Sequence, residues 1–164
     1  MHQENPSLKR IKPVIFIFLL ALLSGCDKNV VFEQNIGFEN EQWHRDSIKT
    51  FTTEITDTVL SYNIYINCRI NGLYPNSNLF LFINTKGPKG LLIRDTLECI
   101  LSDDRGKWLG KGFGDVWSNR IPFKQRIRFP SRGVYSFEIE QAMRQRELNS
   151  ILDVGIRIEK HSPR

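Results

Sequence analysis

A strict alternation of apolar and polar residues constrains this chain more than any other feature of its sequence. Tyr62, Ile64, Ile66, Cys68 and Ile70 occupy every second position, and the residues between them are mainly polar. Successive side chains of a β-strand point to opposite faces, so this pattern predicts a strand with one buried and one solvated face. The fold class that it indicates is all-β.

Other segments repeat this signal at short intervals. The run Asn78 to Thr85 is apolar from Leu79 to Ile83 and lies between two turn signals, which predicts a central strand. Further strands are predicted near residues 30–36, 48–56, 91–100, 121–129, 133–140 and 153–159, the last three with inward sets Phe123/Ile127/Phe129, Tyr135/Phe137/Ile139 and Val154/Ile156/Ile158. About eight short strands predict an antiparallel β-sandwich of two sheets.

One short helix is predicted at residues 140–148. The stretch EQAMRQREL is rich in strong helix formers and contains neither Gly nor Pro. No internal repeat or long linker divides the chain, and its 164 residues are enough for one domain.

The first 26 residues predict export and lipid attachment. Lys9, Arg10 and Lys12 precede the apolar run VIFIFLLALL, residues 14–23, which is shorter than the roughly 20 residues that a membrane-spanning helix needs. A basic start followed by an apolar run of this length is typical of a cleaved signal peptide. The run ends in Leu23-Ser24-Gly25-Cys26, which resembles a bacterial lipobox. The alternatives are an uncleaved signal anchor, or cleavage elsewhere with Cys26 left free.

The predicted organisation follows from this cleavage site. Residues 1–25 form the lipoprotein signal peptide, 26–29 the lipidated terminus and tether, 30–160 the sandwich domain and 161–164 a tail. Cys26 would carry a thioether-linked diacylglycerol and an N-acyl chain such as palmitate. Several acyl chains anchor a domain stably, so the domain is expected on a cell-envelope membrane, outside the cytoplasm and facing the periplasm.

Charge and composition exclude several functional classes. The 23 Lys and Arg against 18 Asp and Glu give a mild net charge of +5, which does not favour a nucleic-acid partner. Three cysteines and three histidines are too few for a zinc ribbon or a multi-disulfide scaffold. No metal and no cofactor are predicted.

The glycine-rich segment Gly106 to Asp115 is the most unusual stretch of the domain. It lacks the strand–loop–helix context of a phosphate-binding loop, so the interpretation is a structured loop. Trp108, Phe113 and Trp117 are candidates for an interaction surface toward a protein or a sugar.

Two further features are candidate sites. Lys124, Arg126 and Arg128 alternate along a predicted strand, which predicts a basic stripe that either meets an anionic partner or is only a solvated face protecting a strand edge. After lipidation of Cys26, Cys68 and Cys99 are the two cysteines left in the exported domain. In an oxidising compartment they are candidates for a disulfide. The alternative is that both are free and buried.

The sequence does not predict an enzyme. His44 is the one histidine well inside the domain, and no nucleophile motif such as G-x-S-x-G accompanies it. Asp103, Asp104 and Asp115 are acidic, but they are interpreted as turn residues.

Five ordered segments together resemble the gliding motility lipoprotein GldH family of Bacteroidota. They are residues 26–34 after the lipobox, 74–81, 106–115, 137–144 and 153–160. The resemblance implies a lipoprotein that is needed for gliding and works beside the motor and the type IX secretion apparatus, with Cys26 as the functional residue that carries over. The chain departs from the family pattern at Cys68 and Cys99 and in the short connection after Met143.

Two functions are therefore considered. The first is a non-catalytic accessory or scaffold component of the gliding and secretion machinery that acts by protein–protein contacts. The alternative is a lipid-anchored glycan-binding module of the envelope.

Overall fold

A computed structural model describes residues 28–162, so the segment predicted as a signal peptide, Cys26, Asp27 and the last two residues lie outside the described part. Eleven strands follow one another: β1 Val30–Gly37, β2 Gln42–His44, β3 Lys49–Ile55, β4 Tyr62–Asn71, β5 Asn78–Lys86, β6 Leu92–Ile100, β7 Lys111–Phe113, β8 Val116–Ile127, β9 Gly133–Gln141, β10 Glu147–Asn149 and β11 Ile151–Lys160. Single 3-10 turns lie at Glu39–Glu41 and Pro88–Gly90. The all-β prediction is confirmed.

The strands form two main sheets. The first, sheet A, has the order β1-β11-β4-β8-β7, and the second, sheet B, has the order β3-β9-β5-β6. All named pairs are antiparallel, and β2 and β10 form a separate two-stranded ribbon. The chain passes directly from one sheet to the other in the connections β3–β4, β4–β5, β6–β7 and β8–β9, which is the arrangement of a sandwich.

The core lies between the two sheets and contains the predicted inward residues. Tyr62, Ile64, Ile66, Cys68 and Ile70 are all buried, which confirms the alternation of β4. The inward sets of β9 and β11 are buried as well. In the third set Phe129 is buried, whereas Phe123 and Ile127 are partly buried against the core.

The helix predicted at residues 140–148 is wrong. The segment contains the end of β9, a turn and β10. The Gln141 side chain is fully buried, accepts a 2.9 Å hydrogen bond from the Met143 N–H and donates to the Gln145 carbonyl at 3.0 Å. These bonds close a tight turn, and Leu148 then pairs with Trp43 in the ribbon. Tertiary pairing therefore overrides local helix propensity here.

The sandwich has two distinct ends. The N-terminal end holds Asn29, the last residue of β11, and the turns at 56–61, 87–91 and 128–132. The distal end holds the turns at 72–77, 101–110, 114–115 and 142–146. No helix among residues 28–162 has the length and apolar character needed to cross a membrane.

Candidate functional site

The glycine-rich segment forms the short strand β7 and its hairpin with β8 at the distal end. Gly112 pairs with Trp117, and an added Cβ at Gly112 would lie 2.7 Å from a carbon of the Trp117 ring. The indole therefore packs directly on the glycine backbone. The hairpin also contacts the preceding turn, because the Gly72 N–H donates to the Asp115 carbonyl at 2.8 Å.

The structure brings the three predicted aromatic residues to this end but exposes them unequally. Trp108 and Trp117 are half-buried and pack against the core. Phe113 is 92% exposed, and on neighbouring turns Leu73 is 83% and Leu109 57% exposed. Leu73 and Leu109 were not singled out from the sequence, since isolated leucines in turns give no periodic signal.

The three residues of the predicted basic stripe lie in different environments. Lys124 forms a 2.6 Å ion pair with Asp95 of β6, so it joins the edges of the two sheets. Arg126 has a positive φ of 54° at a register shift between β8 and β4, and Arg128 lies after the end of β8. This bulge breaks the regular alternation on which the stripe was predicted. An interaction role for the stripe stays a prediction.

Cys68 and Cys99 are both buried and unbonded. Cys68 lies on sheet A and Cys99 on sheet B, so both thiols belong to the core between the sheets. Burial raises the pKa of the Cys99 thiol to about 12. Burial is also the main cause that raises the pKa of the Cys68 thiol, and the nearby Cys99 and Asp153 add to this effect. A disulfide between them stays a prediction.

Sequence reasoning missed an ionic network on the outer face of sheet A. The Arg157 guanidinium is largely buried and forms ion pairs with Glu33 of β1 and Glu159 of its own strand. Burial lowers the pKa of Arg157, but the hydrogen bonds to Glu159 and Glu33 outweigh it, so the pKa stands above its ordinary value. The alternating polar residues of β11 were the available signal, but their partners lie on other strands.

Two side chains extend this network along the sheet. Arg120 of β8 lies 3.7 Å from Glu33 and 3.8 Å from Glu159. Asn67 of β4 donates to Glu33 at 3.0 Å and to Asn35 at 3.3 Å. The network therefore connects β1, β11, β4 and β8.

A second ion pair lies beside it. Asp153 is buried, and the guanidinium of Arg69 forms a 2.5 Å hydrogen bond with its Oδ2 atom. This hydrogen bond raises the pKa of Arg69. Among the described residues, no hydrogen-bond partner is found for the Oδ1 atom of Asp153.

A groove of about 490 Å³ separates this polar face from the distal end. Its walls include Arg69 and Arg120 on the polar side and Ile100 and Leu109 on the apolar side. The groove runs along β8. The short strand β7 pairs with Val116–Ser118 of β8 and leaves the rest of that strand uncovered on this side. In the described part of the chain, the remaining length of β8 is a sheet edge without a paired strand.

His44 and Asp103, which were considered for catalysis, contact residues close to them in sequence. His44 lies in β2, and its Nδ1 atom is 3.6 Å from Asp46. The carboxylate of Asp103 accepts 2.9 Å hydrogen bonds from the N–H groups of Arg105 and Lys107, as a turn residue does. Within residues 28–162, no group of three or more His, Cys, Asp or Glu side chains is arranged to hold a metal ion.

Comparison with known proteins decides the family. The model of the GldH lipoprotein family matches residues 30–158, which run from the first residue of β1 to near the end of β11. The chain belongs to the GldH lipoprotein family. The resemblance carried by the five sequence segments is thereby confirmed.

Curated GldH relatives match over nearly their whole length. The gliding motility lipoprotein GldH homolog of Christiangramia forsetii is 42% identical over 154 residues, which cover 89% of this chain and 93% of that protein. The gliding motility lipoprotein GldH of Flavobacterium johnsoniae is 36% identical over 161 residues, which cover 92% of this chain and 98% of that protein.

Solved structures are only distantly similar to this GldH-family chain. A family GH115 4-O-methyl-alpha-glucuronidase matches 84% of this chain and 18% of its own chain, with a TM-score of 0.43 and 11% sequence identity. A likeness at this level carries no argument about function.

Proposed function

We propose that this chain is a non-catalytic, lipid-anchored component of the gliding motility machinery and its associated type IX secretion apparatus, working by protein contacts. Family membership and the names of the curated relatives support the link to gliding motility. Cys26 carries the lipid, and the domain lies outside the cytoplasm at an envelope membrane, facing the periplasm.

One observation carries the protein-contact role. Leu73 and Leu109 in turns and Phe113 at the end of β7 expose apolar side chains at the distal end, where the Gly72–Asp115 hydrogen bond joins the turn of Leu73 to the hairpin of Phe113. A cluster of exposed apolar groups rimmed by charged residues is typical of a surface that a partner covers. The half-burial of Trp108 and Trp117 leaves Phe113 alone of the three rings freely exposed, so we favour a protein over a sugar as the ligand of this surface.

Replacing the exposed apolar groups tests this proposal. A strain carrying L73S/F113S in place of the wild-type protein is expected to lose gliding and surface spreading, because the partner contact loses its apolar anchors. Crosslinking in intact cells, followed by purification of the tagged lipoprotein, is expected to recover a partner from the wild type and at least about tenfold less from the variant.

The matched control is Val134→Thr, which removes an exposed apolar group from the outer face of sheet B. It is expected to glide and crosslink normally. The proposal fails if L73S/F113S is present at normal levels and both glides and crosslinks like the wild type.

A further inference from the structure

Basic side chains are concentrated at the N-terminal end of the sandwich. Six cations come from the strand ends and turns that meet there: Lys28, Lys86, Lys89, Arg128, Arg132 and Lys160. Lys86 forms an ion pair with Glu138. Asp57 is the carboxylate in these turns, and Glu54 lies just inside the sheet. The surface therefore carries a net positive charge.

Two of these cations lie close to the Asp57 carboxylate. Asp57 has a pKa below its ordinary value, first because the Leu60 and Val59 N–H groups donate to its carboxylate and then because Arg132 and Lys160 are close. Arg132 follows β8 and Lys160 ends β11, so two distant parts of the sequence face the same turn. Several cations of the sheet faces are instead ion-paired, for example Lys124 with Asp95 and Arg94 with Glu140.

Exposed apolar side chains accompany the cations. Val59 is 73% and Leu92 66% exposed, and both lie in or beside turns of this end. Apolar tips surrounded by Lys and Arg are the composition of surfaces that rest on lipid headgroups.

The length of the tether restricts where this surface can go. Val30, the first residue of β1, lies four residues after Cys26. Even a fully extended chain covers only ~3.5 Å per residue, so β1 begins within ~14 Å of the lipidated residue. A domain on such a short tether keeps its N-terminal end close to the bilayer, where its cations are within about two Debye lengths of the headgroups.

We propose that the N-terminal end of the sandwich is a membrane-docking surface that binds the anionic phospholipid headgroups of the leaflet holding the acyl chains. This inference rests on the lipid attachment at Cys26 that the proposed function includes. Docking sets the long axis of the strands upright on the membrane. β4 and β11 each have ten residues and span ~33 Å, so the distal end points away from the bilayer toward its partner.

Site-specific labels on the lipidated chain test the orientation. Spin labels are attached to V59C at the N-terminal end or L73C at the distal end. Cys68 and Cys99 are buried and do not compete for the label. The proteins are reconstituted into vesicles of phosphatidylcholine alone or of phosphatidylcholine and phosphatidylglycerol in equal parts. Collision with a water-soluble relaxation agent then reports the exposure of each label.

We expect the Val59 label to be protected on phosphatidylglycerol vesicles and exposed again at high salt, while the Leu73 label stays exposed throughout. The variant K89Q/R128Q/R132Q is expected to lose this protection. Each cation near an anionic surface contributes about fivefold in binding, so three together contribute on the order of a hundredfold. The matched control R105Q/K107Q/R144Q removes as many cations from the distal end and is expected to behave like the wild type.

Equal accessibility of the two labels on phosphatidylglycerol vesicles, in a chain whose mass includes the lipid, overturns the docking surface and leaves the proposed anchor intact. The docking surface is also overturned if the distal triple variant loses as much protection as the N-terminal one. A chain purified from a lipoprotein-processing host without the lipid mass contradicts the proposed function and the docking surface together.

Discussion

The packing of β1 against β11 leaves no room for a side chain at Gly155. Gly155 lies on the outer face of sheet A, opposite Asn35. A Cβ added at Gly155 would lie 1.7 Å from the Asn35 Oδ1 atom and 2.5 Å from the Gln34 carbonyl oxygen. The Asn35 side chain lies over the bare glycine and accepts a hydrogen bond from Asn67. The absence of a side chain therefore lets the polar network cross β11.

Substitution of Gly155 is expected to destabilise the domain. Gly155→Ala should lower the free energy of unfolding by about 1–3 kcal/mol, because one of the two close atoms belongs to the backbone and cannot swing aside. Urea denaturation monitored by fluorescence measures the loss.

Gly37→Ala is the control from the neighbouring strand, since its added Cβ would meet its nearest atom at an ordinary 3.7 Å. Removing the Asn35 side chain as well should recover only part of the loss in the Gly155 variant. Equal stability of the two alanine variants would show that the packing over Gly155 is not tight.

Strand β8 has three different roles along its length, and its sequence pattern does not show where one ends and the next begins. Its first residues pair with β7, its middle borders the groove, and its last residues carry the bulge at Arg126. Lys124 forms an ion pair with Asp95 of sheet B. The Asp95 carboxylate that it meets is half-buried and has no hydrogen-bond partner for Oδ2 among the described residues.

Loss of the Lys124 ammonium group is expected to cost more than loss of another cation from the same segment. Lys124→Met should lower the free energy of unfolding by about 1–3 kcal/mol, because it leaves the Asp95 carboxylate unpaired. Arg128→Met removes an exposed cation, so the change should stay within about 0.5 kcal/mol. Urea denaturation of both variants measures the difference, and similar losses would argue against the cross-sheet ion pair.

Long, regular strands were the elements best predicted from the sequence. The alternation of β4, β9 and β11 is a local property, because burial of one face requires an apolar residue at every second position. The three-residue strands β2, β7 and β10 were missed, since three residues carry no period. The helix predicted at 140–148 failed because the Gln141 hydrogen bonds and the Leu148–Trp43 pairing depend on distant parts of the chain.

At the scale of the whole domain, the first and last strands of the described residues pair in one sheet. β11 is the last strand of residues 28–162, yet it lies between β1 and β4 inside sheet A. Its inward residues Val154, Ile156 and Ile158 are fully buried. Folding therefore cannot be completed until the C-terminal strand is added, and sheet A without it would lose the contact between β1 and the remaining strands.

Truncations are expected to reveal this dependence. A chain that ends at Ser150 should not fold, because it loses a central strand with its buried apolar surface. A chain that ends at His161 should retain its stability, since it keeps all of β11 and the His161 N–H bond to the Ser61 carbonyl. Circular dichroism and resistance to proteolysis distinguish the two. A protease-resistant chain ending at Ser150 would contradict the role of β11.

Residue patterns alone were enough to establish the fold class, the inward faces of the long strands and the family, and they predicted the lipid attachment at Cys26. Apart from the family, which depends on five segments along the chain, these features are local, because each depends on residues that are neighbours in sequence. The identity of the edge strands, the pairing of Arg157 and the side chains exposed at each end became known only from the folded domain. Such properties depend on strand order and on contacts between residues far apart in sequence, and a pattern with a period of two contains no information about either.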